Sequence, residues 1–242
     1  MRGELRKLTT TKLPWGFLAV LVLIAGIDAA VVLWGTDMDG SKAFIATAED
    51  QQSLMAFAFN AMLGTGLFGA IAVAREYGHN TVVPMFLTSP KRSRAVLAQL
   101  TAVLLGGAVL GLVGQALIIS GVALALPSTA YGFLVSAGNV TQLLAASTLA
   151  GATGAVLGAG LGAAIRNLGG AATAVVLALF MLPPLAVQLF NDAASWIPPT
   201  LGGVISGVST EVTLWAAIAA LLAYGLVPAA IGLLAVQRRD VV

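Results

Sequence analysis

Six apolar stretches, each long enough to cross a lipid bilayer, constrain the fold of this chain more than any other feature. A membrane-spanning α-helix needs about 20 consecutive apolar residues. Apolar residues make up 59% of the 242 residues and charged residues only 9%, whereas about 25% of a soluble domain is charged. The runs are too continuous for the alternating strands of a transmembrane barrel. We therefore predict an all-α integral membrane protein, with one transmembrane domain over residues 1–242 and spans at Trp15–Gly35, Ser53–Arg75, Ala95–Leu126, Asn139–Ile165, Leu168–Phe190 and Val212–Val236.

The basic residues lie on alternate connections between these spans. Eleven of the twelve lysines and arginines lie in the N-terminal segment, the 75–94 connection, the turn at Arg166 and the tail, and only Lys42 lies on the other side. Six of the ten acidic residues also lie on that other side. Because basic loops stay in the cytoplasm, both termini are predicted to be cytoplasmic. The chain has no cysteine, which rules out disulfides and thiolate sites and fits a multi-pass protein of the bacterial inner (plasma) membrane.

Three segments outside the spans are expected to have a structure of their own. Residues 1–14 are short and basic, which fits either a helix on the cytosolic interface or a tail that only anchors orientation. Residues 75–94 form a cytosolic connection with four basic residues. Residues 191–211 are apolar but interrupted by prolines and glycines. This pattern fits a broken or re-entrant external segment, or a loop that touches lipid headgroups through Trp196.

A few polar residues inside the spans are candidates for lining a substrate path. Asp28 is the one acidic residue within a span, where a carboxylate costs about 2.5–3.5 kcal/mol on insertion scales. It either lines a path for a cationic substrate or a proton, or it reaches the outer interface or a neighbouring helix. Asn60, Gln115 and Gln188 are further candidates, and each could instead form hydrogen bonds between helices. Two successive prolines, Pro183 and Pro184, lack the N–H group and are expected to break or bend the fifth span.

Short motifs give no sign of catalysis. Gly64, Gly66 and Gly69 match the dinucleotide pattern G-x-G-x-x-G, but they lie inside a span rather than between a strand and a helix. We interpret them as positions where helices approach closely, together with Gly154, Gly158, Gly162, Gly107 and Gly111. His79 is the only histidine and has no ligand cluster beside it, so no metal site is predicted. No G-x-x-x-x-G-K-[ST] loop occurs, and we predict that the chain is not an enzyme and holds no cofactor.

The 75–94 connection has a recognisable order of residues. It starts with Arg75-Glu76-Tyr77 at the end of the second span, continues with Thr81, and ends with Phe86-Leu87-Thr88-Ser89-Pro90-Lys91-Arg92. This order resembles the cytosolic coupling segment of ABC-2-type transporter permeases, which implies a cytosolic coupling helix between the second and third spans. The six spans, the run Glu4–Lys7 and the broken external segment add to the resemblance. The chain departs from the family in having Asn80-Thr81 where a Gly-Thr pair is usual.

This resemblance implies the membrane-spanning permease subunit of an ABC exporter, as in multidrug efflux and antibiotic resistance. Two permease copies, identical or related, would pair with two cytosolic ABC ATPase subunits that bind ATP and Mg²⁺. The substrate path would form between the permeases, largely from the first, second and fifth spans, and would carry an amphipathic drug, antibiotic or lipid. The resemblance and the position of the basic residues assign ATPase coupling to Glu4, Arg6, Lys7, Arg75, Glu76, Tyr77, His79, Thr81, Phe86, Pro90, Lys91, Arg92 and Arg94.

Two other functions fit the same sequence. A proton-coupled secondary carrier would use Asp28 to carry protons, although no internal repeat of the kind common in such carriers is evident. An accessory or immunity protein would occupy the membrane and bind another complex without transporting anything. The net charge of +2 gives no reason to expect a nucleic-acid partner, and the partners expected besides proteins are membrane lipid and the small amphipathic substrate.

Overall fold

A computed structural model describes residues 11–78 and 92–238 of the chain. This part is built from α-helices joined by short 3₁₀ and π-helical turns, and it contains no strand. Its α-helices, numbered in chain order, are α1 (Leu13–Trp34), α2 (Ala48–Leu54), α3 (Ala58–Gly78), α4 (Arg92–Ala125), α5 (Ala137–Ile165), α6 (Leu168–Val176), α7 (Leu182–Leu189), α8 (Pro198–Ile205) and α9 (Leu214–Arg238).

Six helical segments are long and apolar enough to cross a membrane, which confirms the predicted number of spans in the described part of the chain. The second span differs from the prediction. It was expected as one helix starting at Ser53, but it consists of α2 and α3, and the chain leaves the helical conformation at residues 55–57. The 34 residues of α4 extend about 51 Å, well beyond the hydrocarbon core of about 30 Å, so α4 projects from the membrane or tilts in it.

The two ends of the bundle carry opposite charge. The end where α1 starts and where α3 and α5 finish holds Lys12, Arg75 and Arg166, and we call it the basic end. The opposite end is the acidic end, and it carries Asp37, Asp39, Glu49, Asp50, Asp192 and Glu211. The assignment of the basic end to the cytoplasm stays a prediction.

Among the residues that the structure describes, Lys42 is the one lysine at the acidic end, and its position has a structural explanation. Its Nζ donates hydrogen bonds to the carbonyl oxygens of Val32 at 2.8 Å and Leu33 at 2.7 Å. These carbonyls lie in the last turn of α1, where no intrahelical donor follows and where the helix dipole favours a cation. Lys42 therefore caps the C-terminus of α1, which lies at the acidic end of the bundle.

The centre of the bundle is the contact between α3 and α5. A Cβ atom on Gly158 would lie 1.8 Å from the carbonyl oxygen of Gly66, and one on Gly154 would lie 2.2 Å from that of Met62. The same holds between α4 and α5, where a Cβ on Gly107 would lie 2.4 Å from the carbonyl oxygen of Gly151. Only glycine allows backbones to approach this closely. The close-packing role predicted for Gly107, Gly154 and Gly158 is confirmed, but it is wrong for Gly64, because nothing lies within 4 Å of a Cβ at that position.

Helices α1 and α6–α7 lie at the outside of the bundle. Only 11% of the most apolar window of α1 and 22% of that of the fifth span are buried, against 67% for α5. Residues 177–181 between α6 and α7 are π-helical, and the N–H of Leu182 donates to the carbonyl of Leu177. Pro183 and Pro184 follow at once; they donate no N–H, and their rings would clash with the carbonyls four residues earlier in a regular helix. The fifth span therefore departs from regular α-helical geometry just before the prolines, as a π-helical turn within a helix that continues from Leu168 to Leu189.

Candidate functional site

The basic end contains a contact between the last turn of α3 and the turn that joins α5 to α6. The guanidinium carbon of Arg166 lies 5.2 Å from the centroid of the Tyr77 ring, within the range of a cation–π interaction. Both side chains are half-buried. Because Tyr77 is the second-last residue of α3, this contact fixes the point from which the 75–94 connection departs.

Arg166 has an unusual backbone and incompletely satisfied donors. It ends α5 in the left-handed conformation, with φ 59° and ψ 15°, and its N–H donates to the carbonyl of Gly162 at 2.9 Å. Glycine is the usual residue in this position because a Cβ is disfavoured there. The Nε and Nη2 atoms of Arg166 are buried and find no hydrogen-bond acceptor within the part of the chain that the structure describes. Because this conformation is strained for a residue other than glycine, Arg166 is a candidate for a functional role.

Most of the residues predicted to couple to an ATPase lie outside the described residues. This is so for Glu4, Arg6, Lys7, His79, Thr81, Phe86, Pro90 and Lys91. Arg92 and Arg94 lie in the first turn of α4, where the structure describes the backbone but not their side chains. Arg75, Glu76 and Tyr77 form the last turns of α3 and are all half-buried.

The four candidates for a substrate path occupy different environments. Gln115 is fully buried. Asn60 and Gln188 are exposed on the surface of the bundle, near its acidic end. Asp28 is half-buried on α1, on the face between the buried residues Ala25 and Val32. The structure therefore does not bring the four side chains together into one cavity.

Gln115 of α4 joins three segments through its amide. Its Nε2 donates to the carbonyl oxygen of Met55 at 2.8 Å, and its Oε1 accepts from the Ser147 hydroxyl of α5 at 2.6 Å. Met55 lies at the break between α2 and α3, so its carbonyl lacks a regular helical partner. Inside a membrane an unsatisfied backbone group is costly. Gln115 thus stabilises the break in the second span. Of the two roles predicted for Gln115, the structure shows the hydrogen bond between helices.

Two adjacent glutamines at the acidic end are buried although they precede Ser53, the predicted start of the second span. Gln51 is fully buried, and its Nε2 donates to the carbonyls of Ile45 at 3.0 Å and Gly132 at 2.9 Å. Its Oε1 accepts from the N–H of Leu134 at 2.9 Å. Both amide donors and the carbonyl oxygen are used, so Gln51 ties α2 to the two loops beside it.

Gln52 makes the corresponding connection to the segment over residues 191–211. Its Nε2 donates to the carbonyl of Ser206 at 2.8 Å, and its Oε1 accepts from Nδ2 of Asn139 at 2.5 Å. Gln142 adds a bond to the carbonyl of Ile205 at 3.1 Å. These amides hold α8 and the turn after it against α2 and the start of α5. The only sequence signal for this network is a pair of glutamines directly before an apolar run, which is weak because glutamine is common in loops.

The segment over residues 191–211, which the sequence predicts to be external and broken, is not one continuous helix. It consists of a 3₁₀ turn over Asn191–Trp196 followed by α8. Leu201 and Gly202 of α8 are buried against the bundle. The Tyr224 hydroxyl of α9 donates to the carbonyl of Trp196 at 3.2 Å. The segment is therefore a packed part of the acidic end.

One face of α3 remains incompletely covered. Asn60 is exposed, and Gly64, Leu67, Ile71 and Arg75 are half-buried, at helical spacings of three and four residues. Nothing lies within 4 Å of a Cβ placed on Gly64. The residues on the opposite face of α3 are buried. The central helix therefore presents one continuous stripe at the surface of the bundle.

The described residues contain no group of three or more histidine, cysteine, aspartate or glutamate side chains that could hold a metal ion. Comparison with known protein families and with curated proteins finds no match to this chain. The features that bear on function are therefore the geometry of the two ends of the bundle and the resemblance of the 75–94 connection to a coupling segment.

Proposed function

We propose that this chain is the membrane-spanning subunit of an ABC-2-type exporter, energised by separate cytosolic ATPase subunits. The observation that carries the proposal is the position of α3. The basic connection leaves from this helix, which is the one packed most closely against α5, and the Arg166–Tyr77 contact fixes its last turn. A displacement applied to the connection would therefore move the core of the bundle rather than a loose loop.

The incompletely covered stripe of α3 supports a path between two copies of the chain. It runs from Asn60 near the acidic end to Arg75 at the basic end, and α1 and α6 both pack against α3. These are the first, second and fifth spans. Except for its two ends the stripe is apolar, so a path built on it would suit an amphipathic molecule better than a hydrophilic one.

Co-purification tests the proposal. A C-terminally tagged chain is extracted from its native membrane in mild detergent, and the proteins that elute with it are identified by mass spectrometry. The test variant reverses the charges of Lys91, Arg92 and Arg94. The matched control reverses those of Asp192 and Glu211, which are exposed at the acidic end.

An ABC ATPase in stoichiometric amount is expected with the wild-type chain and with the control, and its loss is expected with the test variant. Elution of the chain without any ATPase, from wild type as well as variant, would contradict the proposal.

A proton-coupled carrier is the second candidate, and the half-buried carboxylate of Asp28 favours it. This carrier would transport in vesicles without ATP and stop when the proton gradient is removed. Asp28→Asn would abolish that transport. Under the exporter proposal, transport requires ATP and the ATPase in both the wild-type chain and the variant.

A further inference from the structure

We propose that a groove between α1 and α3 at the basic end binds the headgroup of an anionic phospholipid. The groove has a volume of 390 Å³ and is lined by Lys12, Leu13, Gly16, Phe17, Val20 and Arg75. It goes beyond the exporter proposal, because neither ATPase docking nor a path between two copies requires it.

The charges of the groove suit a phosphate group. Lys12 lies directly before α1 and is exposed, and Arg75 lies in the last turns of α3. Both are cations, and no acidic residue in the described part of the chain lines the groove. Arginine and lysine are the side chains that bind phosphate most often, arginine through paired N–H donors and lysine as a point charge.

The shape of the groove suits an amphipathic ligand. Nothing lies within 4 Å of a Cβ placed on Gly16, so this glycine leaves the space open. The Phe17 ring stands edge-on to the buried Phe68 ring, with centroids 5.6 Å apart, which fixes one wall. From Lys12 to Val20 the groove follows α1 for about 12 Å, at about 1.5 Å per residue. It therefore leads from two cations into apolar surface.

The position of the groove identifies the ligand as a lipid rather than a soluble anion. It lies where two membrane-spanning helices meet the basic end. Basic pockets between such helices bind anionic headgroups, and the apolar part accommodates acyl chains. A soluble phosphate would use only the two cations and would leave the apolar walls without a partner.

Native mass spectrometry of the purified chain, without any ATPase, measures the binding directly. Phosphatidylglycerol and phosphatidylcholine with the same acyl chains are compared as probes, and soluble glycerol phosphate is added as a competitor. Gly16→Leu fills the groove while both cations remain. Gly26→Leu is its matched control, because Gly26 also lies on α1, also has nothing within 4 Å of a Cβ, and does not line the groove.

Phosphatidylglycerol is expected to bind in preference to phosphatidylcholine, and glycerol phosphate is expected not to displace it. Lys12→Gln should weaken binding about fivefold, because one basic residue near a membrane surface contributes about 1 kcal/mol. Gly16→Leu should remove the preference, and Gly26→Leu should keep it. Equal binding of the two lipids, or an unchanged preference in Gly16→Leu, would overturn the proposal.

This outcome is separate from that of the exporter proposal. Lys12 and Gly16 do not belong to the connection whose charges are reversed in the co-purification test. A chain that binds the lipid but elutes without an ATPase would refute the exporter proposal alone. A chain that elutes with an ATPase but does not discriminate between the lipids would refute the groove proposal alone.

Discussion

Three glycines of α3 belong to one motif but should respond very differently to alanine. A Cβ on Gly64 would meet nothing within 4 Å. One on Gly66 would lie 2.9 Å from Cγ1 of Val175, which belongs to a side chain that can rotate. One on Gly69 would lie 2.0 Å from the carbonyl oxygen of Ala155, which belongs to the backbone of α5. The neighbour of each site, rather than the glycine itself, therefore sets the cost.

The magnitudes follow from two opposing terms. Alanine is favoured over glycine in a helix by up to about 1 kcal/mol, which is the whole effect at Gly64. Overpacking costs about 1–3 kcal/mol, and Gly69→Ala should reach the upper part of this range because the backbone of α5 cannot move aside locally. We expect Gly64→Ala to be neutral or slightly stabilising, Gly66→Ala to be near neutral, and Gly69→Ala to lose about 2 kcal/mol net.

The free energy of unfolding can be measured for the three variants in mixed micelles, with sodium dodecyl sulfate as the denaturant and far-ultraviolet circular dichroism as the signal. The wild-type chain and the Gly64→Ala variant are the controls. Equal stability of Gly64→Ala and Gly69→Ala would refute the close contact between α3 and α5.

Three further predictions concern side chains of the spans and of the acidic end. Gln115→Leu leaves both partners of the buried amide unsatisfied and should cost about 1–3 kcal/mol of unfolding free energy. Gln188→Leu alters an exposed amide and should change the unfolding free energy by less than about 0.5 kcal/mol. Equal losses in the two variants would contradict the role of the hydrogen bonds from Gln115 to Met55 and Ser147. Replacing Pro183 and Pro184 together by alanine restores two backbone donors and should slow amide hydrogen exchange in the π-helical turn. Unchanged exchange there would show that the prolines do not cause the π-helical turn. Gln52→Leu should speed proteolysis of α8 without unfolding the bundle, and unchanged proteolysis would show that other contacts hold this segment.

The sequence determined the spans because the thickness of the bilayer limits the length of each apolar run. The fifth span was predicted at Leu168–Phe190, and the helical segments run from Leu168 to Leu189. The segregation of charge to the two ends also follows from the order of residues, since every connection must lie at one end or the other. Proline chemistry predicted that the fifth span would depart from a regular α-helix. The glutamines just before the second span gave no comparable signal that the helix would break there.

Only the tertiary structure decided which residues act on one another. Gly64 and Gly69 look alike in the sequence, and their difference depends on Ala155 of another helix. Gln115 bonds to a carbonyl 60 residues away, and Gln52 to one 154 residues away. Hydropathy and charge act on each segment separately, whereas close packing and hydrogen bonding require two segments at a definite distance and angle. The thickness of the bilayer therefore made the spans and their ends predictable from the sequence. The contacts between helices decided which polar residues are buried in hydrogen bonds and which are exposed and could line a path.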